Sequence, residues 1–77
     1  MKYYVTKREI NKGSYIETLI RITSKPNKKD TILHGPDYRH VCIEWVLDNE
    51  ANHDLYYLEN NLYTIELLEQ LYNDDNE

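Results

Sequence analysis

Thr31-Ile32-Leu33-His34-Gly35-Pro36-Asp37-Tyr38-Arg39-His40-Val41-Cys42-Ile43-Glu44-Trp45-Val46-Leu47-Asp48-Asn49 is the stretch on which the fold of this chain turns. With a period of two, Thr31 to His34 is a short strand, Gly35-Pro36-Asp37 a turn, and the residues from Tyr38 or Arg39 to Leu47 a second strand. Val41, Ile43, Trp45 and Leu47 then share one face, and His40, Cys42, Glu44 and Val46 the other. With a period of 3.6, a helix starts near Pro36, a residue suited to the first helical position. Its stripe is Tyr38, Val41, Cys42, Trp45 and Val46, which strands Ile43 and Leu47 on the polar side. The strand is the favoured reading of 31–47, because the residue types are β-formers and the alternation is cleaner.

The flanks are easier to read. Tyr3 to Ile10 and Tyr15 to Thr23 are rich in β-branched and aromatic residues and flank Asn11-Lys12-Gly13-Ser14, so residues 1–24 form a β-hairpin. Ile16, Thr18, Ile20 and Ile22 alternate with Tyr15, Glu17, Leu19 and Arg21, which puts the isoleucine face toward the core. Ser24 to Asp30, with Pro26 inside it, is a polar loop.

Downstream, residues 54–72 keep helical spacing through Leu55, Leu58, Leu62, Ile65 and Tyr72, opened by Asn52 or Asp54 as a cap. The Asn60-Asn61 pair is a place where this helix can break, since asparagine competes for backbone hydrogen bonds. Residues 73–77 are expected to be a frayed acidic tail. The fold class that emerges is α+β. A small antiparallel β-sheet, the N-terminal hairpin plus one or two further strands, is packed by a C-terminal helix or broken helix in one domain of 77 residues.

So short a chain builds only a modest core, and folds of this size commonly lean on disulfides, a metal or oligomerisation. The single cysteine, Cys42, cannot close an intrachain disulfide, which suits a reducing compartment. Neither a secretory h-region nor a run long enough to span a bilayer is evident, so a cytoplasmic protein without membrane contact is expected. Eight tyrosines, no phenylalanine and frequent asparagine fit an AT-rich coding sequence, such as that of a low-GC bacterium or of a phage or mobile element living in one.

Charge is the most informative bulk property. Through His40 the chain carries all nine of its Lys and Arg against four acids, Glu9, Glu17, Asp30 and Asp37. From Val41 onward it carries ten acids and no Lys or Arg, for a net charge of −5. Such asymmetry points to an electrostatic partner, unless the two halves neutralise each other within the fold.

Signals of chemistry are weak by comparison. His34, His40 and Cys42 supply three donors at an unfamiliar spacing with no second pair, so no metal is expected. A Cys–His nucleophile would need an oxyanion hole and an orienting third group that so short a chain can scarcely build. Gly13 and Gly35 stand alone, without a phosphate-cradling loop. Neither a cofactor nor catalysis is expected.

The pattern that stands out is a second stripe on the expected C-terminal helix: Tyr56, Glu59, Tyr63, Glu66 and Gln70 recur at intervals of three and four. Carboxylates interleaved with tyrosines suit a contact surface, because tyrosine offers both apolar area and a hydroxyl. The expected function is therefore a small acidic inhibitor or modulator, of phage or mobile-element origin, that occupies a basic surface of a larger protein. If that surface normally holds nucleic acid, the chain is a nucleic-acid mimic of the anti-CRISPR or anti-restriction kind. One alternative is a binder of single-stranded nucleic acid using Lys2, Lys7, Arg8, Lys12 and Arg21, which the net charge disfavours. Another is a homodimeric accessory protein joined through Leu67, Leu68 and Leu71.

Overall fold

Gly13 takes a φ of +94°, a conformation that costs glycine little, and its amide donates to the Asn11 side chain at 2.8 Å. The turn so closed joins strand β1 (Tyr3–Asn11) to strand β2 (Ile16–Thr23), which pair antiparallel along their full length from Tyr4↔Thr23 to Asn11↔Ile16. The computed structural model describes residues 1–75, and in it this hairpin is the centre of a five-stranded sheet. Strand β3 (Thr31–Asp37) pairs antiparallel with β1, and helix α1 (Arg39–Asn49) follows it. Strands β4 (Tyr56–Leu58) and β5 (Asn61–Tyr63) form a short second hairpin ahead of helix α2 (Ile65–Asp75). The order across the sheet is β3-β1-β2-β4-β5.

The α+β class expected from the sequence is the observed one, but the sheet is mixed. Helix α1 carries the chain across from β3, so β4 arrives beside β2 running in the same direction, and Ile20, Ile22 pair with Tyr56, Leu58 in parallel. At the far edge, β3 slips register on either side of Val5. Gly35 sits there with a φ of +118° after a close approach to β1: a Cβ on it would lie 2.7 Å from the Tyr3 carbonyl oxygen and 2.9 Å from Tyr4 Cα. The Gly35–Pro36 peptide is cis.

Two expectations are overturned. Residues 39–47 are not the favoured second strand; the alternative, helical reading is the one observed, and they are most of α1. Its start carries no side-chain cap, and Tyr38 enters it in an extended conformation. What holds it helical is packing: Cys42, Ile43 and Val46 are fully buried, with Trp45 and Leu47 packed against them. Burial of one face against the sheet outweighs the β preference of these residue types. Likewise, residues 54–72 are not one helix. Tyr56 and Leu58 alternate into the core as a strand, and the Tyr56 hydroxyl donates to the Glu50 carbonyl and accepts from the His53 amide at 3.1 Å. The helix begins only after Thr64, whose hydroxyl accepts from the Leu67 amide at 3.3 Å as an N-terminal cap. Residues 73–75, expected to fray, continue α2; Asn76 and Glu77 lie outside the described residues.

Both helices lie on one face of the sheet. Val5, Ile20, Ile22, Tyr56 and Leu58 meet Cys42, Ile43 and Val46 of α1 and Leu68 of α2 in a single buried cluster. The alternation that sends those strand residues inward sends Tyr4, Thr6, Arg8, Leu19, Arg21 and Tyr57 to the opposite face. No helix packs on that face among the described residues, but the loop between β2 and β3 brings Asp30 onto it beside Arg8, and Thr6 is only 1% exposed there; no described helix is long and apolar enough to cross a membrane.

Candidate functional site

The tyrosine–carboxylate stripe does not exist as a helix face, because its residues fall on two strands, the turn between them and a helix. Tyr56 is 1% exposed in β4 and belongs to the core. Its burial, with the carboxylates of Glu50 and Asp54 near it, pushes the phenol above its ordinary pKa despite the hydrogen bond from His53. Tyr63 is half-buried on β5. Only Glu66 and Gln70 remain exposed neighbours, four residues apart on α2.

Glu59 has a structural task. It occupies the β4–β5 turn at a φ of +54°, its amide donates to the Ile22 carbonyl at 2.8 Å, and its carboxylate reaches across to the end of β2. One oxygen accepts from the Ser24 amide at 3.1 Å and the Ser24 hydroxyl at 2.9 Å, the other from the Thr23 hydroxyl at 3.1 Å. Partial burial opposes ionisation, but these donors, with Lys25 nearby, outweigh it and hold the carboxyl below its ordinary value.

The five basic residues singled out in the sequence are also dispersed. Arg8 and Arg21 share the sheet face opposite the helices. Arg8 is paired with Asp30 at 2.6 Å, and the Arg21 guanidinium lies 4.8 Å from the centre of the Tyr57 ring. Lys7 stands opposite Ile20, on the other face. Lys12 sits in the β1–β2 turn, 3.5 Å from Glu17, and Lys2 lies over the Tyr38 ring at 3.8 Å. The proposed apolar seam on α2 is similarly divided: Leu68 is buried, Leu71 half-buried and Leu67 48% exposed.

The histidines and the cysteine diverge. Cys42 is buried, donates to the Tyr3 carbonyl at 3.4 Å, and is pushed up to about 11 by burial, with Asp37 adding to the effect. His34 stacks on Trp45 with ring centres 5.5 Å apart, and its Nε2 lies 3.3 Å from Asp37. His40, expected to share a strand face with Cys42, instead stacks beside Tyr38 on the exposed side of α1. Among the described residues no group of three His, Cys, Asp or Glu side chains is placed to hold a metal ion.

Two features emerge that periodicity along single elements did not reveal. One is charge by layer. Glu44 and Asp48 on α1 and Glu66, Glu69 and Asp74 on α2 are all exposed, whereas the lysines all precede α1 and the only cation on either helix is Arg39 at its start. The other is a cleft of about 450 Å³ beside the outer half of β2, bounded by Ile16, Glu17 and Leu19 on one side and by Asp54, Leu55 and Leu62 on the other. Ile16, Leu55 and Leu62 are each at least half exposed there. No protein-family model matches the chain, and comparison with curated proteins and with solved structures finds no similar protein.

Proposed function

We propose that this chain is a small cytoplasmic protein-binding inhibitor or modulator that presents its acidic helix layer to a basic surface of a larger protein. The observation that carries the reading is the layering of charge. Five exposed carboxylates on α1 and α2 share the layer with a single cation, Arg39, so the helices offer a negative field to a partner lined with Lys and Arg. Such complementarity speeds encounter and fixes orientation. A partner whose basic groove normally holds DNA or RNA would make the chain a nucleic-acid mimic, consistent with origin in a phage or mobile element.

The test compares wild-type bait with a quadruple charge reversal at Asp48, Glu66, Glu69 and Asp74 in capture from a bacterial lysate, with circular dichroism verifying the fold. A partner retained by the wild type, lost by the reversal and displaced by added DNA is the expected result. Equal retention by both baits removes the helix layer as the contact. A second reading, single-stranded nucleic acid on the sheet face opposite the helices, is favoured by Arg21 over Tyr57 beside Arg8. It requires a low-salt mobility shift with single-stranded DNA or RNA that Tyr57→Ala abolishes.

A further inference from the structure

The strand β2 is paired with β1 over eight residues but with β4 over only three, Ile20 to Ile22. Its edge from Ile16 to Leu19 therefore faces the cleft without a neighbouring strand. Which backbone groups point that way follows from the ladder. The Lys12 amide donates to the Tyr15 carbonyl at 2.9 Å, which makes Lys12 and Tyr15 a hydrogen-bonded pair. Bonded and non-bonded pairs alternate in an antiparallel ladder, so Glu17 and Leu19 bond to β1, and the N–H and C=O groups of Ile16 and Thr18 point outward. The Glu59 amide, bonded to the Ile22 carbonyl on the β4 side, fixes the same parity.

We infer that this edge is a docking site for an extended, basic segment of another protein, which adds as a short strand in line with β4. Sheet edges are usually blunted, and the two outer edges here are: β5 is three residues long, and β3 is broken by Gly35-Pro36 and two register slips. The β2 edge has no such protection. It is a regularly paired run with two outward amides and two outward carbonyls, bordered by exposed Ile16, Leu55 and Leu62. Strand addition uses this arrangement, with backbone pairing for affinity and alternate side-chain pockets for selectivity.

Charge selects the occupant. Glu17 and Asp54 line the cleft and, among the described residues, no Lys or Arg does; Lys12 reaches Glu17 from outside it, leaving the Glu17 side chain 44% exposed. A lysine or arginine on the incoming strand thus meets a carboxylate. A second copy of this chain fits poorly. A two-fold axis normal to the sheet keeps faces matched only when centred on a residue, and the register that pairs the outward groups of both Ile16 and Thr18, centred on Glu17, sets two glutamates directly opposite each other, which is destabilising.

The test is an NMR titration of the full chain with a blocked hexapeptide of alternating valine and lysine. The expected result is that the amides of Ile16 and Thr18 shift and gain protection from exchange. A peptide N-methylated at alternate residues loses binding, and both a glutamate-for-lysine peptide and the exposed-site variant Glu17→Lys weaken it at least roughly tenfold. Thr18→Pro, which removes an outward N–H that β1 does not use, also abolishes binding; if that variant does not fold, the N-methylated peptide decides the same point. No shift at millimolar peptide, equal binding of the N-methylated or acidic peptide, or shifts confined to the helices overturns the inference. A wild-type dimer in light scattering that Thr18→Pro or Glu17→Lys dissolves overturns the choice of occupant. Charge reversal of Asp48 and Glu66 leaves peptide binding unchanged, so this edge and the acidic helix layer stand or fall separately.

Discussion

The two halves of β2 share residue types and a single ladder with β1, yet one is interior and the other is surface. Ile20 and Ile22 are at most 1% exposed, held by β1 on one side, β4 on the other and the helices above. Ile16 is 61% exposed, and its half of the strand has β1 alone. A strand's chemistry thus does not fix its burial; what the rest of the chain lays beside it does. The pairing with the short β4 stops at Ile20, and that boundary divides the part of the strand that stabilises the fold from the part available to a partner.

The sharpest way to break this contrast is Ile22→Ala, which empties a fully buried site. Equilibrium denaturation should show a loss of about 3–4 kcal/mol; a loss under about 1 kcal/mol would mean that the inner half is not the core. Next in size is Glu59→Gln, which weakens the clamp that ends the inner half. A loss of about 1–2 kcal/mol at neutral pH is expected from its charge-assisted hydrogen bonds. Because the Glu59 carboxyl titrates below its ordinary value in the folded state, its contribution is complete above the ordinary glutamate range and disappears as pH falls through the depressed folded value. Thermal melts across the acid range should therefore show a shallower decline for Glu59→Gln than for the wild type, and parallel curves would exclude the clamp. Smallest is Ile16→Ala, for which the same denaturation experiment should register less than about 0.5 kcal/mol. A cost near that of Ile22→Ala would erase the distinction between the halves.

The first hairpin was legible because its signals are local and agree: a Gly-containing turn, β-branched residues and alternation over eight positions. Even there, alternation named Ile16 and Ile20 as equals, since periodicity reports a face and not whether anything covers it. The helix α1 was hidden for a different reason. Of its buried residues, Cys42 and Val46 do lie on the helical stripe through Tyr38, Val41 and Trp45, but Ile43 falls on the side that stripe leaves polar, and the start of the helix lacks a capping side chain. In the 54–72 region three-residue strands are too short for alternation to register, so the leucine spacing read as a helix. Asn60-Asn61 does not break a helix but lies at the β4–β5 turn and the start of β5, and Thr64 was the overlooked cap. The candidate partner face inherited that error, with Tyr56 and Glu59 assigned to contact when they serve the core and a turn. The division of charge survived because composition is indifferent to secondary structure, and the two-layer fold turned a difference along the chain into a difference between layers.

The single thiol gives this protein an internal clock. Cys42 is sealed beneath α1 and pushed up to about 11, so at neutral pH only about one thiol in ten thousand is ionised while the chain is closed, against a few per cent for an ordinary exposed cysteine. An alkylating reagent is therefore expected to label the molecule only through openings that expose Cys42. The rate of that labelling counts those openings without any introduced probe.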